Sequence, residues 1–407
     1  MGAIGGWTLA REAIKVEGSL EMNPDTSLIY LDNNATTAVD PVVLEEMLPF
    51  LTHAYGNPSS AYSFGKKAAE AIALARERVA ALLGCSPGEI VFTSCGTEST
   101  NAAIYSALAM DPDRQHIITS RVEHSATLKT CERLAKKGVE VTWLGVDSRG
   151  QIDLSELEAA IRPDTALVSL MWANNETGTL FPIDRIQQIA REKGVFFHTD
   201  AVQVIGKMPV RLEGAHIQFL SLSGHKLHCP KGVGAMYIHR KCRFMPWMTG
   251  GGQEDGRRAG TENVAFIVGL GKACELAAQH IEREGTEVRA LRDRFERGVL
   301  ERIGAVSVNG DPADRLPNTT NLAFAGVDSE AVLMGLDARG VCCSAGSACT
   351  TGSLNPSHVL KAMGFSDAHA RSSLRFSFSH NNTPAQTEEA LNILETVIGV
   401  LRGAVRP

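Results

Sequence analysis

Ser221-Leu-Ser-Gly-His-Lys-Leu-His-Cys-Pro-Lys-Gly-Val-Gly234 sets a lysine just past an apolar run and inside a turn of small residues. Ile217 to Leu222 is apolar and short, which predicts a buried strand. The Ser-Gly-His after it then falls at the strand end, where open α/β sheets bind their ligands. A lysine at that point faces a crevice. Poorly solvated, its ammonium gives up its proton more readily, and the neutral amine can attack an aldehyde. A lysine after a strand is also an ordinary surface residue, so what Lys226 does depends on the rest of the chain.

The chain has 407 residues, 44% hydrophobic and 21% charged, with a net charge of −6. That length exceeds the roughly 250 to 300 residues at which single cores stop growing, so two domains are expected. The charge is spread over a mixed sequence, which gives no basic footprint for nucleic acid and no polybasic segment for a membrane. No apolar run approaches the ~18 residues of a membrane span. Nine cysteines, an odd number without Cys-x-x-Cys pairs or Cys/His ligand spacing, describe neither a disulfide framework nor a metal site. Such thiols suit a reducing cytoplasm. Met1 to Ser27 has no secretory h-region and reads as a loosely held extension.

From Leu28 the hydrophobic period alternates. Strands at Ile29 to Leu31, Ile90 to Thr93, His116 to Thr119, Ala166 to Met171, Val195 to His198, Ile217 to Leu222 and Val233 to Ile238 interleave with helices at Gly65 to Leu83, Thr97 to Leu108, Ala126 to Lys137 and Asp184 to Glu192. Buried strands alternating with helices predict an α/β fold with a mostly parallel sheet covered by helices. After about residue 283 come a charged helix (Glu287 to Arg302), a few strands, and a last helix from Pro384 to Arg402 with Thr383 and Gln386 as a capping box. The expected organisation is an extension over 1–27, a large α/β domain over 41–282, and a smaller α+β domain built from 28–40 and 283–407.

Several polar residues fall at strand ends in this frame. Gly96 and Thr97 open a helix after a strand, which suits a phosphate as well as a plain helix cap. Asp200, after the strand ending at His198, is either a helix N-cap at Ala201 or a buried carboxylate in want of a cation such as a pyridinium N–H. Gln203, three residues on, is a possible donor to a ring phenolate. Together with Lys226 these residues point to pyridoxal phosphate. His124 is either a ring-stacking or proton-carrying group or a structural histidine, and Asn175 either donates an amide or forms a turn. Arg375, alternating with apolar residues in Ser372-Ser-Leu-Arg-Phe-Ser-Phe, needs a carboxylate, from the protein or from an amino acid. Cys349 sits in the Gly/Ser/Thr-rich run from Ser344 to Pro356 and is a candidate nucleophile.

Eight stretches in order carry a resemblance: Leu31-Asp-Asn-Asn-Ala-Thr-Thr, Gly56-Asn-Pro-Ser-Ser, Val91-Phe-Thr-Ser-Cys-Gly-Thr-Glu-Ser, Ala173-Asn-Asn-Glu-Thr-Gly, His198-Thr-Asp-Ala-Val-Gln, Ser223-Gly-His-Lys, Arg258-Ala-Gly-Thr-Glu-Asn and Gly346-Ser-Ala-Cys-Thr. The chain resembles the cysteine desulfurases, most closely their nitrogen-fixation (NifS-like) type. It departs from them at Ala345, often a serine, at Asp255, where a basic residue is common, and in its 27-residue head.

The resemblance implies a fold-type I pyridoxal 5'-phosphate enzyme of the class V aminotransferase group. Such an enzyme is a homodimer that moves sulfur from L-cysteine to a persulfide and on to an iron-sulfur scaffold or other acceptor protein, leaving L-alanine. It implies Lys226 as the cofactor-bearing amine, Asp200 at the pyridinium nitrogen, Gln203 at the ring oxygen and His124 on the ring face. Gly96, Thr97, Ser223 and His225 would hold the phosphate, joined by Thr261 of the second subunit. Asn175, Arg375 and Asn34 would hold the substrate, and Cys349 would receive the sulfur. A selenocysteine lyase, or a silent scaffold on the same fold, would share most of these features, although a silent scaffold predicts loss of Lys226 or Asp200.

Overall fold

The computed structural model describes residues 28–346 and 356–404. Its strands are β1 (Ile29–Tyr30), β2 (Ile90–Thr93), β3 (His116–Ser120), β4 (Glu140–Leu144), β5 (Thr165–Met171), β6 (Phe196–Asp200), β7 (Phe219–Ser223), β8 (Gly234–Ile238), β9 (Val306–Asn309), β10 (Thr319–Phe324), β11 (Val341–Cys342) and β12 (Ser373–Ser377). Seven of them form one sheet in the order β2-β8-β7-β6-β5-β3-β4. Neighbours from β7 to β4 run parallel, and β8 alone is antiparallel to both its partners. Strands β3, β5, β7 and β8 are buried at every residue, which is what a sheet covered on both faces requires.

Helices cover the sheet because their apolar residues recur at helical spacing. In Ser63–Leu83 the buried positions include Ile72, Ala75, Val79 and Leu83, and the helix stops at Gly84, whose φ of 61° supplies a left-handed cap. Against it lies Val264–Arg283, at a distance that Gly271 sets: a Cβ there would come within 2.5 Å of Ala75 Cα. This helix continues through a π-helical turn, Glu284–Val288, into Arg289–Arg302. The rod from Val264 to Arg302 is, contrary to the sequence expectation, long and apolar enough to cross a membrane. Its apolar residues are packed in cores instead, Ile267, Leu270, Ala273 and Cys274 in the main one and Val288, Leu291 and Val299 in a second, and its glycines and alanines disguise the run.

A second apolar cluster joins Ile29 and Leu31 from the chain start to Phe295, Leu322, Phe376, Leu391 and Leu394. It packs around the antiparallel sheet β12-β10-β9 and the parallel pair β1-β11. The last helix, Pro384–Ala404, begins with the expected capping box, Gln386 N donating to Thr383 Oγ1 and Thr383 N to Gln386 Oε1, both at 3.1 Å. One part of the expected small domain packs elsewhere. Val359, Leu360 and Met363, on and just past the short helix His358–Ala362, join the main core, because their apolar face meets that surface rather than the three-stranded sheet.

Candidate active site

Strands β5, β6 and β7 are parallel and in register, with Met171 beside Asp200 and Asp200 beside Ser221, so their C-terminal ends form one ledge. A cavity of about 710 Å³ opens over it. Its walls bring together Asn34, Gly96, Thr97, His124, Asn175, Asp200, Gln203, Ser223, His225, Lys226 and Arg375, residues scattered over most of the chain. Thr261 is not among them: it is exposed, on the segment that follows the 3-10 turn Gln253–Gly256. Cys349 and the head over 1–27 lie outside the described residues.

Lys226 ends the 3-10 turn Gly224–Lys226 that follows β7, and its Nζ donates to the carbonyls of Asn34 and Ala35, the latter at 2.7 Å. Asp200 ends β6. Its Oδ1 accepts from Val202 N at 3.0 Å, so one oxygen does serve as a turn cap. Burial raises its carboxyl above the usual range, offset in part by His124, the Val202 amide and Lys226. His124 caps the helix Ser125–Ala135: its Nδ1 accepts from Ala126 N at 3.1 Å, which puts the proton of the neutral ring on Nε2. His225 Nδ1 lies 3.1 Å from Thr36 Oγ1, and burial, with the charges of Lys226 and Lys231, pushes its imidazole down to about 4.

Gly96 opens the helix Gly96–Met110 at the cavity wall. A Cβ at this position would come within 2.8 Å of Val202 Cγ2, so the chain approaches there as bare backbone, with the helix's first N–H groups and Thr97 beside the space. Across the cavity, Arg375 is 1% exposed. Its Nη2 pairs with Asp32 Oδ1 at 2.7 Å and its Nη1 donates to the Asn175 carbonyl at 2.9 Å. Among the described residues its Nε is buried without a hydrogen-bond partner. The arginine therefore has its protein salt bridge and still keeps a donor in hand.

The expectation for Asn34 changes. Its side-chain amide donates to Thr319 Oγ1 at 2.8 Å, and its Oδ1 accepts from Lys207 at 3.0 Å and Asn318 at 3.1 Å, so it offers the cavity a main-chain carbonyl and not an amide. Other residues at the site were missed by the sequence reading. Glu123, beneath the ledge, accepts from Ser120 Oγ at 2.8 Å and Met171 N at 3.0 Å, and burial pushes its carboxyl up to about 8. Glu176 accepts from Ser357 Oγ, and His358 Nε2 lies 3.0 Å from the Glu123 carbonyl. Both glutamates sit inside motifs already singled out, next to His124 and Asn175, and that adjacency was the available signal.

The donor set suits a flat, anionic, aldehyde-bearing cofactor: an amine, a buried carboxylate, an amide, an imidazole, and a helix start stripped to backbone. The chain matches the class-V aminotransferase family over residues 29–389. It is 53% identical to a cysteine desulfurase of Nostoc sp. over 92% of this chain and 94% of that protein. It is 50% identical to the cysteine desulfurase NifS of Azotobacter vinelandii over 92% and 93% of the two. Among solved structures it superposes on a NifS-like protein with a TM-score of 0.87 at 38% identity, covering 92% of this chain and all (100%) of that one.

Proposed function

The chain belongs to the class-V aminotransferase family, in its cysteine desulfurase branch, and from that premise we propose that the cavity over β5, β6 and β7 holds pyridoxal 5'-phosphate on Lys226 and passes sulfur from L-cysteine to Cys349. The observation that carries this reading is the meeting of the Lys226 amine and the buried Asp200 carboxylate at adjacent strand ends, in one cavity. Asp200 supplies the counter-charge for a pyridinium nitrogen, Gln203 a donor for the ring oxygen, and His124 a ring to stack on its face. Gly96, Thr97, Ser223 and His225 hold the phosphate.

Bound there, pyridoxal phosphate supplies an electron sink that acidifies the substrate's Cα–H and makes its C–S bond cleavable. The protein's own groups do the rest. Arg375 and Asn175 orient the substrate carboxylate. Lys226 Nζ takes the Cα proton. The Cys349 thiolate attacks the substrate sulfur: a sulfur–sulfur bond forms on the enzyme, and the carbon–sulfur bond breaks with its electrons left on the three-carbon fragment. That fragment takes up two protons, on Cβ the one released when Cys349 ionised and on Cα the one held by Lys226, and leaves as L-alanine.

The working unit is a homodimer. Thr261 is exposed away from its own chain's cavity, as a residue lent to a second subunit would be, and Leu44, Leu48 and Leu51 expose 45–54% of their surface along the helix Pro41–Thr52. The acceptor is an iron-sulfur scaffold, in keeping with the NifS name of the relatives, and the free thiols suit the cytoplasm. Cys349→Ser tests the assignment. It should keep the visible absorption of the bound cofactor and still perturb it on adding L-cysteine, while alanine formation falls by orders of magnitude. Mass spectrometry after one turnover should find the extra sulfur on Cys349 and not on Cys342 or Cys343, whose thiols burial raises. Normal alanine production by the serine variant would overturn it.

A further inference from the structure

Lys207 lies on the turn after β6, 7% exposed, and no step above uses it. Its Nζ donates to Gln203 Oε1 at 2.8 Å and to Asn34 Oδ1 at 3.0 Å. A lysine ammonium has three donors and no acceptor. Any amide facing it must therefore present oxygen, and both amides do. The consequence for Gln203 is directional: with Oε1 held by Lys207, its Nε2 points the other way, donating to the Asn34 carbonyl at 3.1 Å. That carbonyl also accepts from Lys226. Gln203 lines the catalytic cavity and Lys207 does not.

We propose that Lys207 is a positioning residue, which by binding the side-chain oxygens of Gln203 and Asn34 together locks the Gln203 amide with its N–H₂ edge toward the cavity, as a donor to an anionic ring oxygen. The inference rests on the cavity holding pyridoxal phosphate. Without Lys207, Gln203 would be free to turn its carbonyl inward, where it repels the same oxygen. The lock is strict for the ammonium. Burial and the neighbouring Lys226 and Arg375 bring it down to about 7 against the opposing pull of Glu284, and the neutral amine keeps two hydrogens for the two oxygens but also gains a lone pair that accepts from an amide N–H. The lock is therefore tightest below neutrality.

Four proteins stripped of cofactor decide the matter: wild type, Lys207→Met, Gln203→Leu and the double variant. Each is titrated with pyridoxal phosphate, the pH midpoint of its visible band is recorded, and its unloaded melting temperature serves as the folding control. Lys207→Met is expected to weaken cofactor binding about tenfold, the worth of roughly one hydrogen bond, and to move the band's midpoint. In the Gln203→Leu background the same change should do neither, since a residue that acts through Gln203 has nothing left to act on. Equal effects in both backgrounds would overturn the proposal. So would a Lys207→Met protein that melts earlier but binds cofactor like wild type. Should Lys207→Met fail to fold, Gln203→Glu carries the test. Lys207 would take one carboxylate oxygen and leave the other facing the cavity, so cofactor binding should fall below that of Gln203→Leu; wild-type binding by Gln203→Glu would overturn the lock. A wild-type protein that forms no visible band with pyridoxal phosphate would fail the function proposed above, an outcome separate from these.

Discussion

Arg76 and Lys207 are both cations withdrawn from water, but Arg76 is met by a carboxylate and Lys207 by amide oxygens. The Arg76 guanidinium makes two 2.8 Å bonds to Glu254 and lies 4.7 Å over the Phe92 ring. Glu254 also accepts from Phe92 N at 2.9 Å, and its backbone takes a left-handed φ of 49° on the way there. Charge is balanced inside the structure. At and behind the cavity, Lys207, Lys226 and Arg375 stand with Asp32, Asp200 and Glu284, and Arg375 Nε has no hydrogen-bond partner among the described residues. The first arrangement is closed, and nothing further need bind for it to be stable. The second sets its charges around a hollow rather than in one closed pair, which is how a binding site differs from a brace made of the same residue types.

The largest effect that would break this contrast lies at the open end. Lys226→Ala should abolish borohydride-trappable cofactor and lower turnover by more than about 10⁴-fold, while leaving the unfolding midpoint near wild type. An equal loss at both would make Lys226 a brace after all. At the closed end the effect should fall on stability. Glu254→Ala strands Arg76 and should cost about 3–5 kcal/mol in urea unfolding, much of it recovered when Arg76→Met is added. Cofactor affinity measured below the transition should stay near wild type.

The smallest effect concerns two buried groups that keep neutrality in opposite ways. Burial lowers His198, held between the hydroxyls of Ser169 and Ser221, from 6.5 to about 3, while it raises Glu123 from 4.5 to about 8. As pH falls from 6.5 to 5 the unfolded histidine gains a proton that the folded one refuses, so its contribution to stability is lost. The folded glutamic acid already holds its proton, and its contribution grows over the same window. Each slope is about 1.4 kcal/mol per pH unit, and they oppose. Against wild type, Glu123→Gln should therefore lose stability more steeply on acidification, and His198→Asn less steeply, in thermal unfolding from pH 6.5 to 5. Parallel curves for all three proteins would show that neither group is neutral in the fold.

Much of the main sheet could be read from the chain because each strand is a short apolar run followed at once by polar residues. The same signal put Asp200, Ser223 and Lys226 at strand ends before any pairing was known. The order of the strands, with β8 wedged antiparallel between β2 and β7, has no local mark in the sequence. Neither has the parallel pairing of Ile29 with Val341, two residues brought together by burial and by main-chain hydrogen bonds from Ile29 N to Gly340 O and Leu31 N to Cys342 O. The rod from Val264 to Arg302 was hidden for a chemical reason, since its close packing is bought with glycine and alanine, which weaken an apolar pattern. At the site, Lys207 went unread because a lysine four residues after a glutamine on a turn resembles any surface lysine. What makes it different is full burial against Asn34, a residue from the far end of the chain.

The hydrogen bonds of Lys226 reach back 192 and 191 residues to Asn34 and Ala35, and the Arg375 pair with Asp32 closes a loop of 343. On the ribosome these parts are born in the sequence Asn34, then Lys226, then Arg375. Strands β5, β6 and β7 are complete well before β12 exists, so the amine and its carbonyl acceptors can assemble while the arginine is still unmade. An aldehyde that enters during that interval finds its lysine without the group that orients a substrate carboxylate. The guanidinium that pairs with Asp32 is thus the last of these groups to be made, and the bond that closes the longest of these loops is the last that can form.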